Sequence, residues 1–365
     1  FQAEDGIRDF CLSRGLGDVY KRQGPNENET WNLFDSSQNS LELINYVKGA
    51  EISKREAKLN VIELILNLDR EKVNYAFGLS SYKESLDIYY EETSRASFND
   101  DGQLTKTADL FFLGGGKNVN SSRRNNSFFF ELASNISKNL NIQTSARYEK
   151  FQNDNSFDPK ISFNYSLNNN LSLRGSISSS FVMPSMAQMF SSEIRLGSVR
   201  DINDSPFVRL ALLGNPDLKP ATSKNTSLGF IWSLSSELDL TIDYWAIDYK
   251  NRIEVESPQV LLNNDPFAAS ITRNQFGELI AVSTSYFNEK KTEVNGIDLE
   301  LNFSRNTELG DFYYAIKATQ LSEFLTPQAG NSTNMLNRVG KFNFDANTHS
   351  LPKLNTVSKS LKSPQ

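Results

Sequence analysis

Apolar and polar residues alternate along most of this chain, and that period-two pattern is typical of strands with one apolar face. Leu140, Ile142 and Tyr148, for example, alternate with Asn141 and Glu149. The pattern predicts antiparallel strands, and therefore an all-β fold, over 41–48, 58–68, 73–90, 126–134, 140–151, 158–167, 171–181, 224–233, 238–249, 291–304, 311–323 and from near 351.

The strands are long and their connections differ in length. Segments 140–151, 171–181 and 238–249 hold 11 or 12 residues. An average globular strand holds about 5–6, and a tilted membrane strand needs roughly 9–11. Tight connections alternate with long ones. The long connections are 91–125, 182–223, 250–290 and 324–350, and 152–157 is the one short connection at the same end of the strands. Short turns at one end and long loops at the other are typical of an outer-membrane barrel.

Composition agrees with a membrane barrel and excludes several other classes. The 365 residues include 25 Phe and 13 Tyr, which gather towards strand ends as an aromatic girdle would. A net charge of −6 argues against a nucleic-acid binder. One histidine, His349, and one cysteine, Cys11, rule out a Cys/His zinc cage and an internal disulfide. We therefore predict no catalytic residues, no metal site and no cofactor.

Residues 1–23 differ in character from the rest and are interpreted as artefact. Gln2–Asp9 and Ser13–Gln23 correspond, in one frame, to the translations of two common sequencing adapters. Removing this segment takes away Cys11 and leaves the net charge at −6. We expect the genuine sequence to occupy 24–365 and to be an open reading frame from a short-read assembly, so that both of its ends are artificial.

Five segments carry a resemblance to a known family. Phe181, Pro184 and Ser185 form a Phe-x-x-Pro-Ser element at the end of a strand. Gly214 to Ser223 reads Gly-Asn-Pro-Asp-Leu-Lys-Pro-Ala-Thr-Ser, and Pro-Lys opens an earlier strand. Segments 244–253 and 295–301, the latter with Gly296, follow in the expected order. Together these segments resemble TonB-dependent outer-membrane receptors, and the motif residues are Pro159, Lys160, Phe181, Pro184, Ser185, Asn215, Pro216, Leu218, Lys219, Pro220 and Gly296.

The resemblance implies a barrel of about 22 strands that surrounds an N-terminal plug. About 12 predicted strands then represent a partial barrel, an open curved sheet that we expect cannot form a stable barrel alone. The resemblance also implies an outer membrane of a Gram-negative bacterium, contact with its lipid, and energy from the TonB–ExbB–ExbD complex through the plug. Ala221 and Val182 depart from the family pattern, where Glu and Arg are usual.

The expected function is capture of a scarce ligand, of the iron chelate, cobalamin or glycan class, for TonB-energised uptake. The sequence assigns no ligand-binding residue. Asn215, Pro216, Leu218 and Pro220 are interpreted mainly as residues that shape a loop. The charged side chains of the polar strand faces are expected to hydrate the lumen or contact the plug; they are Arg147, Glu149, Arg174, Asp239, Asp243, Asp298 and Glu300.

Two alternatives stay open: a passive porin, and a soluble extracellular β-sandwich that binds carbohydrate. The sandwich explains one-sided strands but not their length or the one-sided long loops. Gly114–Lys117 lacks P-loop spacing, and Asp100–Gly102 lacks an EF-hand pattern. We expect a loop at the first of these segments and a turn at the second.

Overall fold

The computed structural model describes residues 29, 31–32, 34–47, 52–108, 115–151, 154–308, 310–328, 331–341 and 351–363. The segment 1–23, with Cys11, and His349 lie outside these residues, so the expectations for them stay predictions. The strands are β1 (Ser53–Asp69), β2 (Val73–Tyr90), β3 (Ser97–Phe98), β4 (Leu104–Lys106), β5 (Val119–Asn135), β6 (Leu140–Phe151), β7 (Asp154–Ser166), β8 (Leu171–Val182), β9 (Ser192–Ser198), β10 (Phe207–Leu213), β11 (Ala221–Ser233), β12 (Leu238–Val255), β13 (Ile271–Arg273), β14 (Leu279–Thr307), β15 (Gly310–Gln328), β16 (Asn331–Asn337) and β17 (Leu354–Ser363). The helices are α1 (Leu41–Val47), α2 (Met186–Phe190) and α3 (Pro258–Asn264), with 3₁₀ turns at Ser36–Gln38 and Glu92–Ser94.

Eleven long strands of the described chain form one continuous wall, in the order β1-β2-β5-β6-β7-β8-β11-β12-β14-β15-β17. Every neighbouring pair along this path is antiparallel. Within the described residues β1 and β17 are not paired with each other, so the wall is an open sheet. The predicted partial, all-antiparallel β-barrel architecture is confirmed.

The wall has two chemically different faces, because successive side chains of a strand point to opposite sides. Register places Phe128 beside Leu79 and Tyr148 on one face, which we call the apolar face. The other face, which we call the polar face, carries Arg147 beside Asp158. All seven charged residues predicted to share a face do lie on the polar face.

The prediction of a strand over 41–48 is wrong, because Leu41–Val47 forms a short helix. Ser40 caps this helix: its Oγ accepts from the backbone N–H of Leu43 at 3.0 Å, and its carbonyl accepts from Ile44. Leu43 is buried. The alternation covers only eight residues and is a weak signal for a strand. The serine at the N-cap favours the helix instead, because it satisfies one of the first N–H groups of the helix.

The wall strands extend beyond their predicted bounds at the long-loop end. β5 begins at Val119 rather than 126, β12 continues to Val255 rather than 249, and β14 begins at Leu279 rather than 291. In the β5 extension buried and exposed side chains still alternate, but several of the buried ones, such as Arg123 and Asn125, are polar, so the sequence shows no apolar alternation there.

The long loops build a second, smaller sheet at that end. β9 pairs with β10, β10 runs parallel to the first residues of β14, and β13 pairs with β14 on its other side. Its core is a cluster of buried apolar residues: Val199, Val208, Leu262, Ile271, Leu279 and Val282. We call this sheet, with α2 and α3, the loop cap. At Asp100–Gly102 the structure has the predicted turn, closed by the bond from the Gly102 N–H to the Asn99 carbonyl at 3.0 Å.

Candidate functional site

The loop cap is joined to the polar face of the wall by one buried arginine. Arg123 on β5 donates from Nε to Glu84 Oε2 at 2.6 Å and from Nη1 to the carbonyl oxygen of Pro184 at 2.6 Å. Its side chain is 7% exposed. Since Pro184 follows the end of β8, this guanidinium fixes the first residues of the loop against the wall.

The segment that follows turns at once into α2. The Ser185 side chain accepts from the Gln188 N–H at 3.1 Å while the Gln188 side chain accepts from the Ser185 N–H at 2.8 Å. This reciprocal capping satisfies N–H groups that a helix of five residues leaves unpaired. Met186 is buried with Leu86, Ile88, Tyr90 and Val119 of the wall. Phe181, just before the turn, stacks on Phe151 with ring centroids 5.6 Å apart.

The motif 214–220 closes the same loop from its other end. The Gly214 N–H donates to the Ser191 carbonyl at 2.7 Å, and the Asn215 N–H donates to the Gln188 carbonyl at 2.9 Å. A Cβ at Gly214 would lie 2.6 Å from the backbone nitrogen of Phe190. Only glycine permits this approach of two backbones.

The same motif is tied to β14. Asn215 Nδ2 donates to the Tyr286 carbonyl at 2.8 Å, and Lys219 exchanges two bonds of 2.8 Å with the side chain of Asn288. Leu218 is buried, whereas Pro216 is exposed and Pro220 half-buried. The contacts of this segment are therefore contacts within the protein that hold the loop.

Pro159 and Lys160 lie inside β7 rather than at its start, because β7 begins at Asp154. Pairing of β7 with β8 begins at Lys160, opposite Ser178, while pairing with β6 continues past Pro159. Proline has no N–H to donate to a neighbouring strand. Pro159 therefore lies just outside the residues of β7 that pair with β8. Lys160 is exposed on the polar face.

Gly296 of β14 lies against the indole ring of Trp245. It pairs with Trp245 on β12 and with Leu321 on β15, beside a register shift. A Cβ at this position would lie 2.8 Å from Cζ2 of Trp245. The glycine therefore makes room for the indole within the wall.

A polar recess of about 420 Å³ opens on the polar face of the wall, at the end of β8. Glu149, 3% exposed, accepts from the Tyr82 hydroxyl at 2.5 Å and from Nε and Nη2 of Arg147 at 3.0 and 2.9 Å. Asp158 Oδ1 accepts from Ser179 at 3.1 Å on the opposite side. The recess thus presents an arginine and two carboxylates fixed by hydrogen bonds, with Phe181 and Met183 also in its lining.

Farther along the wall, two pairs of opposite charges lie on the polar face. Arg174 holds Asp243 with two hydrogen bonds, of 2.8 and 2.5 Å, and Lys317 holds Glu300 at 2.9 Å. A second recess, of about 340 Å³, lies beside Arg174 and is lined by Asn141, Gln143, Lys160, Ser162, Phe163, Asn164, Arg174, Gly175, Ser176 and Ser227.

Within the loop cap, Asp201 and Arg273 join two loops. The guanidinium donates to both carboxylate oxygens, at 2.8 and 2.7 Å, and stacks on Phe267 at 5.1 Å from the ring centroid. Hydrogen bonding from Arg273 holds the pKa of Asp201 below its ordinary value, although burial opposes that shift. The sequence offered no signal for this pair, which is separated by 71 intervening residues.

The cap also carries a cavity of about 320 Å³ beside β9, lined in part by Glu193, Arg195, Glu256 and Thr284. Glu256 Oε2 accepts from the Ser285 N–H at 2.9 Å. In the described part of the chain no group of three or more His, Cys, Asp or Glu side chains is placed to hold a metal ion. None of the described helices is long and apolar enough to cross a membrane.

Comparison with known proteins identifies the architecture. A family model described as TonB dependent receptor-like, β-barrel, matches residues 8–355. The chain belongs to this family. Members of the TonB-dependent receptor family are transport receptors of the Gram-negative outer membrane, so the resemblance read from 126–304 is confirmed.

Solved TonB-dependent receptors have the same fold at low identity. A variant of the ferric enterobactin receptor of Pseudomonas aeruginosa is 19% identical, with a TM-score of 0.52, over 75% of this chain and 38% of that chain. The siderophore receptor PirA of Acinetobacter baumannii is 16% identical, with a TM-score of 0.52, over 83% of this chain and 41% of that chain. The copper transporter OprC is 12% identical, with a TM-score of 0.50, over 78% of this chain and 39% of that chain.

The chain therefore spans about two fifths of the length of the receptors it matches. Among curated proteins none matches it.

Proposed function

We propose that this chain is the β-barrel part of an outer-membrane receptor that captures a scarce ligand for TonB-energised uptake. The observation that carries the proposal is the wall itself: strands of 12 to 29 residues, from β6 to β14, with an apolar face and a polar face bearing paired charges. Hydrocarbon requires every backbone group to be paired and the outward side chains to be apolar. The apolar face then contacts lipid, and the polar face lines the lumen.

The ligand approaches from the long-loop side and meets the recess beneath the loop cap. The recess offers hydrogen-bond donors and acceptors from Arg147, Tyr82 and Asp158. Hydrogen bonds to neighbouring side chains already fix these groups, so a polar ligand is recognised without reorganisation of the wall. The ligand class is an iron chelate, cobalamin or a glycan, and the receptor does no covalent chemistry on it. The TonB–ExbB–ExbD complex supplies energy through a plug domain.

Uptake assays test the proposal. The full-length gene is expressed in a Gram-negative host that lacks its own receptors, and uptake of ferric enterobactin, cyanocobalamin and a maltodextrin is measured with and without TonB. One of the three is expected to accumulate only with TonB and an intact proton gradient. Accumulation that persists without TonB would establish a passive porin instead.

A second assay addresses the membrane placement. Proteinase added to intact cells is expected to cut the long loops 182–223 and 250–290 and to spare β6, β8 and β12. Cleavage within these strands, with the loops intact, would overturn the barrel and favour the soluble carbohydrate-binding sandwich.

A further inference from the structure

A row of uncharged polar side chains crosses the polar face of the wall. The strand register sets its members directly beside one another on β6, β7, β8 and β11: Gln143, Ser162, Ser176 and Ser227. We call these residues the amide–hydroxyl row. Ser176 and Ser227 share a hydrogen bond of 2.8 Å in which either hydroxyl can donate. The pair keeps a free O–H and further lone pairs for a molecule in front of this face.

An indole ring stands at the end of the row. Trp245 of β12 lies directly opposite Ser227 on the same face, and a Cβ on Gly296 would lie 2.8 Å from Cζ2 of this ring. The side chain is half-buried, whereas its Nε1 is buried and has no hydrogen-bond partner among the described residues. Trp245 therefore presents an apolar ring surface beside the row and not its N–H group.

The row lines the recess of about 340 Å³ beside Arg174, where Asn141 and Asn164 add two carboxamides. Amides and hydroxyls both donate and accept hydrogen bonds, as the hydroxyls of a sugar do. The two cations at this recess lie to either side of the row. Arg174 is held by both carboxylate oxygens of Asp243, and Lys160 lies one residue pair nearer the loops. The row itself offers no charge with which an anionic ligand would pair.

Uncharged polar groups continue from the row towards the loops. Asn225 donates from Nδ2 to Ser180 at 3.3 Å and to Ser223 at 3.2 Å, and the two hydroxyls share a bond of 2.7 Å. Ser180 also lines the recess at Arg147. Along β8, Ser180 lies roughly 13 Å from Ser176. A ligand that leaves the recess at Arg147 therefore meets hydroxyls and amides as far as the row.

We infer that the amide–hydroxyl row and Trp245 bind an uncharged oligosaccharide on its way through the lumen. The inference rests on the proposed function and names its ligand class. A sugar ring presents C–H groups that pack on an aromatic ring, while its hydroxyls form hydrogen bonds at the edge of that contact. Trp245 supplies the ring, and Ser227 and Ser176 supply the hydrogen bonds. A ferric tris-catecholate is an anion and gains no ion pair from the row.

Isothermal titration of the full-length protein in detergent tests the inference. The probes are four neutral oligosaccharides (maltoheptaose, cellopentaose, xylopentaose and mannopentaose), cyanocobalamin and ferric enterobactin. The wild type is expected to bind at least one of the oligosaccharides, and W245A to lose affinity for it at least roughly tenfold. S176A/S227A should lose roughly three- to tenfold. W232A removes a tryptophan from the apolar face, where Trp232 lies opposite Leu240, and is expected to keep wild-type affinity.

Fluorescence separates a direct contact from a folding defect. The bound oligosaccharide is expected to change the emission of Trp245, because its ring is covered. W245F keeps an aromatic ring and should retain binding while it loses this change in emission. W232F should retain both.

Three results would overturn the inference: binding of none of the oligosaccharides at millimolar concentration, wild-type affinity in W245A, or cyanocobalamin or ferric enterobactin as the ligand that W245A loses. Wild-type affinity together with a lowered unfolding temperature in W245A would assign the row to contact with the plug.

Uptake in cells distinguishes this failure from failure of the proposed function. If ferric enterobactin or cyanocobalamin is the probe that accumulates only with TonB, the receptor function stands and the oligosaccharide site is wrong. If none of the probes accumulates in a TonB-dependent manner, the proposed function itself fails.

Discussion

Arg123 of the wall donates a hydrogen bond of 2.6 Å to the carbonyl oxygen of Pro184, the second residue after β8. The two residues are separated by 60 residues in the sequence, and Arg123 also donates a hydrogen bond to Glu84. It couples the rigid wall to the loop cap, so that the recess at Arg147 is bounded by wall and loop together.

Replacing Arg123 by alanine is expected to release the loop. The change removes charge-assisted bonds to Glu84 and Pro184, which are worth roughly 2–3 kcal/mol together. Hydrogen exchange in 185–191 should rise while exchange in β6 stays low. R124A, on the neighbouring and exposed side chain, is the matched control. Unchanged exchange in 185–191 of the Arg123→Ala protein would show that the loop is held by apolar packing instead.

Gly214→Ala is expected to open the contact between the two ends of the same loop. The new Cβ would press on the backbone of Met189 and Phe190, which cannot yield as a side chain does, and the expected cost is roughly 1–3 kcal/mol. The measurement is protection of the Gly214 and Asn215 amides, which donate to Ser191 and Gln188. Gly197→Ala meets only the flexible Cδ1 of Leu210 and should cost less; equal effects would refute the argument.

The loop cap should loosen in acid. Because hydrogen bonding from Arg273 lowers the pKa of Asp201 in the folded state, the stabilisation is complete above the ordinary aspartate value of about 3.9 and is lost as pH falls through the lowered value. Hydrogen exchange in 199–207 should therefore rise below about pH 4. D201N should show raised exchange already at neutral pH and no further dependence from this pair. A wild-type profile that stays flat in this range would contradict the role of the pair.

Charge on the two wall faces should have opposite consequences. Ile161→Arg places a cation on the apolar face and is expected to cost about 2–4 kcal/mol in a bilayer. Ser162→Arg, one residue along β7 on the polar face, should be nearly neutral because that face is hydrated. Urea unfolding of the full-length protein in lipid vesicles measures both. Equal destabilisation would mean that the faces are assigned wrongly.

The sequence by itself determined the strands of the wall and their faces. Leu140–Phe151 was predicted with its observed bounds, and 73–90 likewise, since lipid on one side and water on the other impose a strict period of two. The motif 214–220 could be recognised as a loop-shaping segment, because two prolines and an Asn-Pro pair restrict the backbone locally. Where the signal was short, as in 41–48, the cap at Ser40 decided in favour of a helix.

Only the tertiary structure decided the loop cap and the recess beneath it. β10 lies parallel to β14, with Leu210 beside Val282, and Arg273 meets Asp201 across the same cap. Such pairings join residues far apart in the chain. The loop strands do not separate lipid from water, so their sequences need not alternate between apolar and polar residues. The sequence pattern therefore does not predict which strands pair. The same holds for Ser227 and Trp245: each is an ordinary strand residue in the sequence, and only the strand register places them side by side.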